Sequence, residues 1–155
     1  MPIPKKVLNH LEKNKIAHKL IKHKKVYTAY DAAQTLKTKL GNIAKTLVVK
    51  ADKNYILAVL PASRSLDFQK LKKILKAKKV EIAKENVMQK IFKVKPGAIT
   101  SFGEIYKIPV YLDKLLLKSK KVIAGAGTYR DSFEMTAKNF LKATKGIMGD
   151  IGKKK

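Results

Sequence analysis

The chain has 155 residues, 45% of them hydrophobic, which is enough to build one packed domain. It has no cysteine, which excludes disulfides, thiolate metal sites and a cysteine nucleophile. Its formal net charge of +25 favours a polyanionic partner, with nucleic acid ahead of an acidic membrane surface. Lysine outnumbers arginine almost everywhere, however, and an interface built to grip phosphates would favour arginine.

The first forty residues predict a helix, a strand and a second helix. The fragment VLNHL has helical apolar spacing and follows two prolines, which predicts the first helix. Residues 16–23, IAHKLIKH, alternate in the manner of a short strand. Thr28 followed by Asp31 is a variant of the capping box and predicts a helix over 29–36.

The middle and end of the chain predict mostly strands. Residues 44–61 form the clearest hairpin pattern, two apolar runs about a polar turn at 52–54. Ser65 is predicted to cap a helix in LDFQKLKKILKA, and KENVMQKIF predicts a further short helix. KVEIA, IPVYLD, KVIAGAG and SFEMT predict strands, and Thr136 caps a last helix in AKNFLKATK. We expect a single α+β domain with a largely antiparallel sheet, ending in a frayed basic tail at 152–155.

The usual catalytic constellations are missing from the sequence. His10, His18 and His23 lack the spacing to carboxylates that a metal site needs. No G-x-S-x-G elbow is present, and GAGTYRDS lacks the lysine and glycine spacings of phosphate-binding loops. We therefore expect no metal, no cofactor and no conventional side-chain nucleophile.

Three segments still call for an explanation. Lys45 and Thr46 stand at the entrance to an apolar strand, where a lysine is usually a solvated residue that guards a strand edge. The loop at 96–103, PGAITSFG, is either a plain connection or a source of backbone N–H groups for a ligand. The segment at 124–132, AGAGTYRDS, is either a turn with a bulge or a place where a ligand approaches the backbone closely.

Taken in order, these segments resemble the YbaK/EbsC family of aminoacyl-tRNA deacylases, which includes the editing domain of bacterial prolyl-tRNA synthetases. The segments are DAAQTL, IAKTLVVKAD, YILAVLPASRSLDFQKLKKILKAKKVEIA, PGAITSFG, IPVYLD, VIAGAG and MGDI. The resemblance runs from about residue 7 to residue 151, and KTLV followed by LPASRSLD and KLKK is its most specific part. It implies a YbaK-like fold, with a barrel-like sheet of about six to seven strands flanked by helices and one editing domain over 1–155.

The resemblance also implies a site. The lysine of the KTLV motif corresponds to Lys45, in a pocket that receives the terminal adenosine of tRNA and its esterified amino acid. The substrate-binding residues that it implies are His23, Tyr30, Thr46, Gly97, Ala98, Ser101, Ala124, Gly125 and Asp131. Ser101 stands where the family's Gly-x-x-x-Pro loop has proline, and its extra N–H and freer φ predict an adaptable loop.

The function that the resemblance implies is hydrolysis of a mischarged aminoacyl-tRNA ester in trans. We expect the protein to be cytoplasmic and monomeric. Backbone N–H groups and Lys45 would orient the ester while water or a substrate hydroxyl attacks. Two alternatives stay open: a tRNA-binding module without hydrolysis, and a membrane-surface binder that uses LDFQKLKKILKAKK as a basic amphipathic helix. The sequence does not identify the amino acid, the tRNA or a synthetase partner.

Overall fold

The computed structural model describes residues 3–93 and 98–155, over which the chain forms five α-helices and ten β-strands. The helices are α1 (Lys5–Lys13), α2 (Ala29–Thr35), α3 (Phe68–Leu75), α4 (Glu85–Phe92) and α5 (Ala137–Thr144). The strands are β1 (Lys19–Lys22), β2 (Ala44–Ala51), β3 (Asn54–Pro61), β4 (Arg64–Leu66), β5 (Val80–Ile82), β6 (Val110–Asp113), β7 (Lys121–Gly125), β8 (Asp131–Thr136), β9 (Ile147–Gly149) and β10 (Gly152–Lys154). Short 3₁₀ turns cover Leu40–Asn42, Gly103–Tyr106 and Leu116–Lys118.

The predicted hairpin, β2 with β3, is the centre of a five-stranded sheet of order β5-β2-β3-β6-β9. β5 and β3 run antiparallel to β2, whereas β6 and β9 run parallel to β3. A second, antiparallel sheet has the order β1-β8-β7, and β4 pairs with β10 in a separate two-stranded ribbon. A bridge between Ile43 and Ile123 joins the first two sheets just ahead of β2.

β3 and the second half of β2 have buried residues on both faces, and their alternation divides the core in two. In β3, Leu57 and Val59 pack into the core shared with the second sheet. Ile56 and Leu60 pack on the opposite face, in a core that α3 covers with Leu71. This explains the nearly continuous apolar run of β3, since a strand covered on both sides has no solvent face.

The apolar face of α3 is therefore part of the core. Leu71 is fully buried in the same cluster as Ile151, which comes from the end of the chain. This packing contradicts the membrane-surface alternative, which needs that face for lipid. Within the two described segments, no helix is long and apolar enough to cross a membrane.

The α+β class is confirmed, and the differences lie in the short strands. Ten strands form three open sheets in the described residues, where one barrel-like sheet of six to seven was expected. β4, β9 and β10 have three residues each, which is too short for an alternating apolar pattern to predict a strand. They are strands because they pair with neighbouring strands. The frayed tail was a wrong prediction for residues 152–154, which pair with β4.

One helix cap also differs from the prediction. Ser65 lies within β4, opposite Lys153, and does not cap α3. Asp67 is the cap, and its Oδ1 accepts hydrogen bonds from the backbone N–H groups of Gln69 and Lys70. Thr28 and Thr136 cap α2 and α5 as predicted.

Candidate functional site

A cavity of about 370 Å³ opens beside the first half of β2. β5 pairs with β2 only from Val49 to Ala51, so in the described structure no strand covers that edge between the Ile43 bridge and Val48. The end of β7, the segment ahead of α2, and Met88 of α4 form the remaining walls. The cavity therefore lies where the two large sheets diverge.

The register of the hairpin turns the peptide groups of Thr46 toward this cavity. Ala51 and Asn54 flank a two-residue turn, so alternate residues from Ala51 back to Lys45 exchange hydrogen bonds with β3. The residues between them, which include Thr46, direct their backbone N–H and C=O groups to the edge of β2 that faces away from β3. The hydrogen bond from Ala83 N to the Val48 carbonyl, 2.9 Å, follows this alternation. A ligand in the cavity can therefore accept a hydrogen bond from this strand edge and donate one to it.

Lys45 borders the cavity, and a hydrogen bond to β4 holds its side chain. Its Nζ donates to the backbone carbonyl of Arg64 at 2.6 Å. Burial, followed by the positive charge of Lys155, lowers the pKa of Lys45 below its ordinary value of 10.5. An ammonium has three N–H donors, and the contact with Arg64 uses one of them. The anchored lysine can therefore still donate to a ligand.

Thr46 lies on the other face of the strand and is tied to the loop after α4. Its Oγ1 is 2.6 Å from the Oγ of Ser101, which is 1% exposed. Ser101 occupies the position where the family has proline, and proline could not make this hydrogen bond. A buried hydroxyl pair thus ties Ser101 to β2, and the adaptability of the loop stays a prediction.

Histidine and serine meet on the wall opposite β2. His23 Nδ1 lies 2.7 Å from the Lys24 carbonyl, and its Nε2 lies 2.9 Å from the Oγ of Ser132. Because a carbonyl can only accept, Nδ1 carries the proton. In that tautomer Nε2 accepts the proton of the Ser132 hydroxyl. Both side chains border the cavity, although nothing in the local sequence pairs them.

Asp131 is engaged within the turn between β7 and β8. Its Oδ2 accepts the hydroxyl of Thr128 at 2.6 Å, and the Thr128 Oγ1 accepts the backbone N–H of Arg130. Gly127 has a φ of +100°, which a residue with a Cβ adopts only with strain. The small residues of AGAGTYRDS thus form a tight turn at the end of the cavity. Asp131 holds this turn and also contributes a carboxylate to the described lining.

The structure brings six of the predicted residues to one cavity: His23, Lys45, Thr46, Ala124, Gly125 and Asp131. Ala98 and Ser101 are buried outside the lining, and Tyr30 is 58% exposed, its hydroxyl accepting from Gln34. Gly97 lies outside the described residues. Sequence reasoning missed Tyr27 and Ser132. Ser132 reaches the cavity through the pairing of β8 with β1 and β7, and Tyr27 follows Val26, whose N–H donates to the Tyr129 carbonyl.

The cavity also has an apolar part, which could receive a small side chain. It is formed by Ile43, Ile82, Met88, Ile99 and Ile123, none of which the sequence patterns singled out. No cluster of three or more histidine, aspartate or glutamate side chains suitable for a metal ion occurs in residues 3–93 and 98–155. The described lining offers one ammonium, one imidazole, hydroxyls, a carboxylate and peptide groups.

The comparisons with known proteins agree with this fold. The family model of the aminoacyl-tRNA editing domain matches residues 23–143, a range that contains the described cavity lining. The chain belongs to this family, and the resemblance stated from the sequence is confirmed.

Relatives and solved structures support the same assignment. The chain is 28% identical over 125 residues to EbsC of Enterococcus faecalis, a proposed Cys-tRNA(Pro)/Cys-tRNA(Cys) deacylase, covering 80% of this chain and 76% of that one. It is 28% identical over 101 residues to proline–tRNA ligase of Macrococcus caseolyticus, covering 65% of this chain but 18% of the ligase. The crystal structure of a proposed trans-editing enzyme for prolyl-tRNA synthetase matches with a TM-score of 0.88 and 26% identity, covering 99% of this chain and 98% of that one.

Proposed function

We propose that this protein hydrolyses the ester bond of a mischarged aminoacyl-tRNA in trans. The observation that carries the proposal is the cavity itself, which is lined by the free edge of β2, by Lys45 and by an apolar recess. Its volume of about 370 Å³ lies within the range of small-molecule sites. It suits the terminal nucleoside with its esterified amino acid. Family membership and the named relatives support the same reaction.

The mechanism follows from where the donors lie. The peptide N–H of Thr46 and the Lys45 ammonium would hold the ester and stabilise the negative charge that develops on its carbonyl oxygen. A water molecule attacks the acyl carbon, the bond to the ribose oxygen breaks, and the proton released by the water goes to that oxygen. A neighbouring ribose hydroxyl can relay this proton, so no protein nucleophile is required.

Editing of this kind is useful where a synthetase cannot discriminate well enough by itself. A difference of one methylene between amino acids is worth only about 1–3 kcal/mol in a binding pocket. A second, hydrolytic pocket can remove the product that the first one accepts. The described recess is lined by aliphatic side chains, so we propose a small amino acid as its occupant. We further propose that the protein acts as a monomer on tRNA, with or without a synthetase.

The test is a panel of tRNAs charged with different amino acids, with ester loss measured for the wild type and Lys45→Ala. We expect Lys45→Ala to lower kcat/KM at least tenfold, about 1.4 kcal/mol of transition-state stabilisation, with an unchanged melting temperature. Lys50→Ala is the matched control, since it removes the same charge from the same strand outside the described lining. Equal rates for Lys45→Ala and Lys50→Ala would remove Lys45 from the mechanism.

The contact between His23 and Ser132 allows a sharper test of the chemistry. A serine whose hydroxyl is bonded to a histidine is also the arrangement of a covalent route. If water attacks directly, Ser132→Ala should retain turnover within a few-fold and no acyl-enzyme should accumulate in a rapid quench. Loss of turnover together with a trapped acyl-enzyme in the wild type would replace the direct route by the covalent one.

The alternative function is a tRNA-binding module that lacks hydrolysis, favoured by the net charge of +25. It predicts tight binding of tRNA by the wild type and no accelerated ester loss with any amino acid in the panel.

A further inference from the structure

Two tyrosines form an aromatic pair at the rim of the cavity. The ring centroids of Tyr27 and Tyr129 are 4.8 Å apart, and their planes are tilted by 58°. Tyr27 borders the cavity and is 55% exposed. We propose that this pair, the tyrosine pair, stacks the unpaired nucleobase next to the terminal adenosine of the bound RNA strand. The inference rests on the proposed function, because it assigns the cavity to the terminal nucleoside.

The backbone fixes the position of the pair. Beyond the ladder of β1 and β8, His23 N donates to the Arg130 carbonyl at 2.9 Å. Val26 N donates to the Tyr129 carbonyl at 2.8 Å. The segment that carries Tyr27 is thus bound to the turn that carries Tyr129. A platform fixed in this way loses little conformational entropy when a base stacks on it.

The surroundings of Tyr27 fit a nucleotide rather than an apolar peptide. Lys25 places its ammonium 5.3 Å from the centroid of the Tyr27 ring. An exposed cation–π contact is weaker than the stacking of a base on an aromatic side chain, so a base can displace the lysine. The displaced ammonium then lies beside the strand and can meet a phosphate. The net charge of +25 attracts the same polyanionic ligand.

Scattered exposed aromatic residues are normal on protein surfaces and need no partner. Tyr27 differs because its ring is paired with that of Tyr129, because the residue before it is held by a backbone hydrogen bond, and because it borders the cavity. Since every nucleobase has an aromatic face, the pair would bind the strand without reading its sequence. Recognition of the strand and recognition of the amino acid would then be separate, the first at the rim and the second in the recess.

The experiment measures binding of a fluorescein-labelled single-stranded RNA hexamer ending in adenosine, by anisotropy over a series of salt concentrations. We expect Tyr27→Ala to weaken binding by roughly 5- to 100-fold at every salt concentration, and Tyr27→Phe to stay within about twofold of wild type. The salt slope should not change, because no phosphate contact is removed. Lys25→Gln should instead lower that slope by about one. Phe68→Ala, an exposed ring outside the described lining, is the matched control and should bind like wild type.

A hexamer without the base next to the terminal adenosine completes the test. It should bind the wild type more weakly by the same factor and show no further loss with Tyr27→Ala. Wild-type affinity of Tyr27→Ala, or a full additional loss with the abasic hexamer, would overturn the proposal. Wild-type ester hydrolysis with no effect of Tyr27→Ala on binding overturns only the tyrosine pair. Stacking without any hydrolysis overturns the proposed function and supports the pair as a strand-binding site.

Discussion

Lys45 and Thr46 are neighbours in sequence, but their side chains lie on opposite faces of β2. The Lys45 ammonium is bonded to the Arg64 carbonyl, whereas the Thr46 hydroxyl is bonded to Ser101. Both residues border the same cavity, because the uncovered edge of β2 faces it. At the scale of the residue, the two neighbours are therefore held by different parts of the structure. Lys45 is bonded to β4, and Thr46 is bonded to Ser101.

Gly125 offers a direct test of whether the substrate fills the cavity. A Cβ built at Gly125 meets no atom within 4 Å, and it would point to the same face of β7 as Ile123. Gly125→Ala should therefore fold normally and place a methyl group in the space of the substrate. We expect kcat/KM for the preferred mischarged tRNA to fall about 5- to 50-fold, measured across the amino-acid panel.

Gly41→Ala is the matched control for this change. A Cβ at Gly41 also finds room, with Ser63 Oγ at 3.8 Å, and the residue lies outside the described lining. It should be as active as wild type and no less stable, because alanine restricts the unfolded chain. Full activity of Gly125→Ala on every substrate would show that the ligand does not reach the end of β7.

The lowered pKa of Lys45 predicts the alkaline limit of activity. If the ammonium form stabilises the ester, kcat/KM falls as the pH rises through the pKa of Lys45, which lies below 10.5. Lys155 contributes to this lowering after burial, so Lys155→Gln should move the alkaline limb to higher pH. The measurement is the pH profile of enzymatic ester loss after subtraction of the uncatalysed rate. Superimposable profiles for wild type and Lys155→Gln would contradict the coupling.

The same shift has a consequence for stability, with a defined sign. Below the pKa that Lys45 has in the folded protein, the lysine is charged in both states, and its burial opposes folding. Between that pKa and 10.5 the unfolded chain binds more protons than the folded one. The contribution of Lys45 to the free energy of unfolding therefore rises with pH across this window.

At the scale of the element, the two-stranded ribbon of β4 and β10 helps to position Lys45. Arg64 Nε lies 3.6 Å from Oδ2 of Asp113, and its Nη2 donates to the Gly152 carbonyl at 2.9 Å. A Cβ at Gly152 would lie 2.5 Å from the same carboxylate, so a larger residue would force the pair apart. Because the Arg64 carbonyl also holds Lys45, the end of the chain stabilises the position of the ammonium.

Breaking this ion pair should therefore cost stability. Asp113 is 1% exposed, and burial raises its pKa. Asp113→Ala leaves Arg64 without its carboxylate and should lower the free energy of unfolding by about 3 kcal/mol, the low end for a buried pair because Arg64 is partly exposed. The melting temperature should fall by roughly 6–12 °C in a chain of this length.

Two comparisons define the effect of the pair. The double variant Arg64→Met, Asp113→Leu should recover much of the loss, since it leaves no buried charge. Glu81→Ala, which removes the exposed ion pair with Lys79, should leave the melting temperature nearly unchanged. A loss with Asp113→Ala no larger than that with Glu81→Ala would show that the pair does not stabilise the ribbon.

At the scale of the whole molecule, the charge of +25 predicts how affinity for tRNA depends on salt. Each lysine that neutralises a phosphate releases a counterion, so log Kd should rise linearly with the logarithm of the salt concentration. With several phosphate contacts, affinity should fall by two or more orders of magnitude between about 50 and 200 mM salt. Filter binding or anisotropy with uncharged tRNA measures this slope. A flat plot would mean that the net charge takes no part in binding.

Much of the architecture could be predicted from local patterns. The hairpin of β2 and β3, the caps Thr28 and Thr136 and the apolar face of α3 all follow from spacings shorter than about ten residues. These patterns depend on the geometry of one element at a time. Six of the nine predicted binding or catalytic positions that the structure describes line one cavity, because the family motifs mark the ends of strands.

The sequence by itself determined the α+β class, the net charge of +25 and the position of Lys45 at a strand entrance. Only the tertiary structure decided which groups face each other. Thr46 meets Ser101 across 55 residues, and His23 meets Ser132 across 109. It also decided that residues 152–154 form a strand and that Tyr27 rests on Tyr129. Helical and strand periodicities show which face of an element is apolar, but the partner of that face depends on how all the elements pack together.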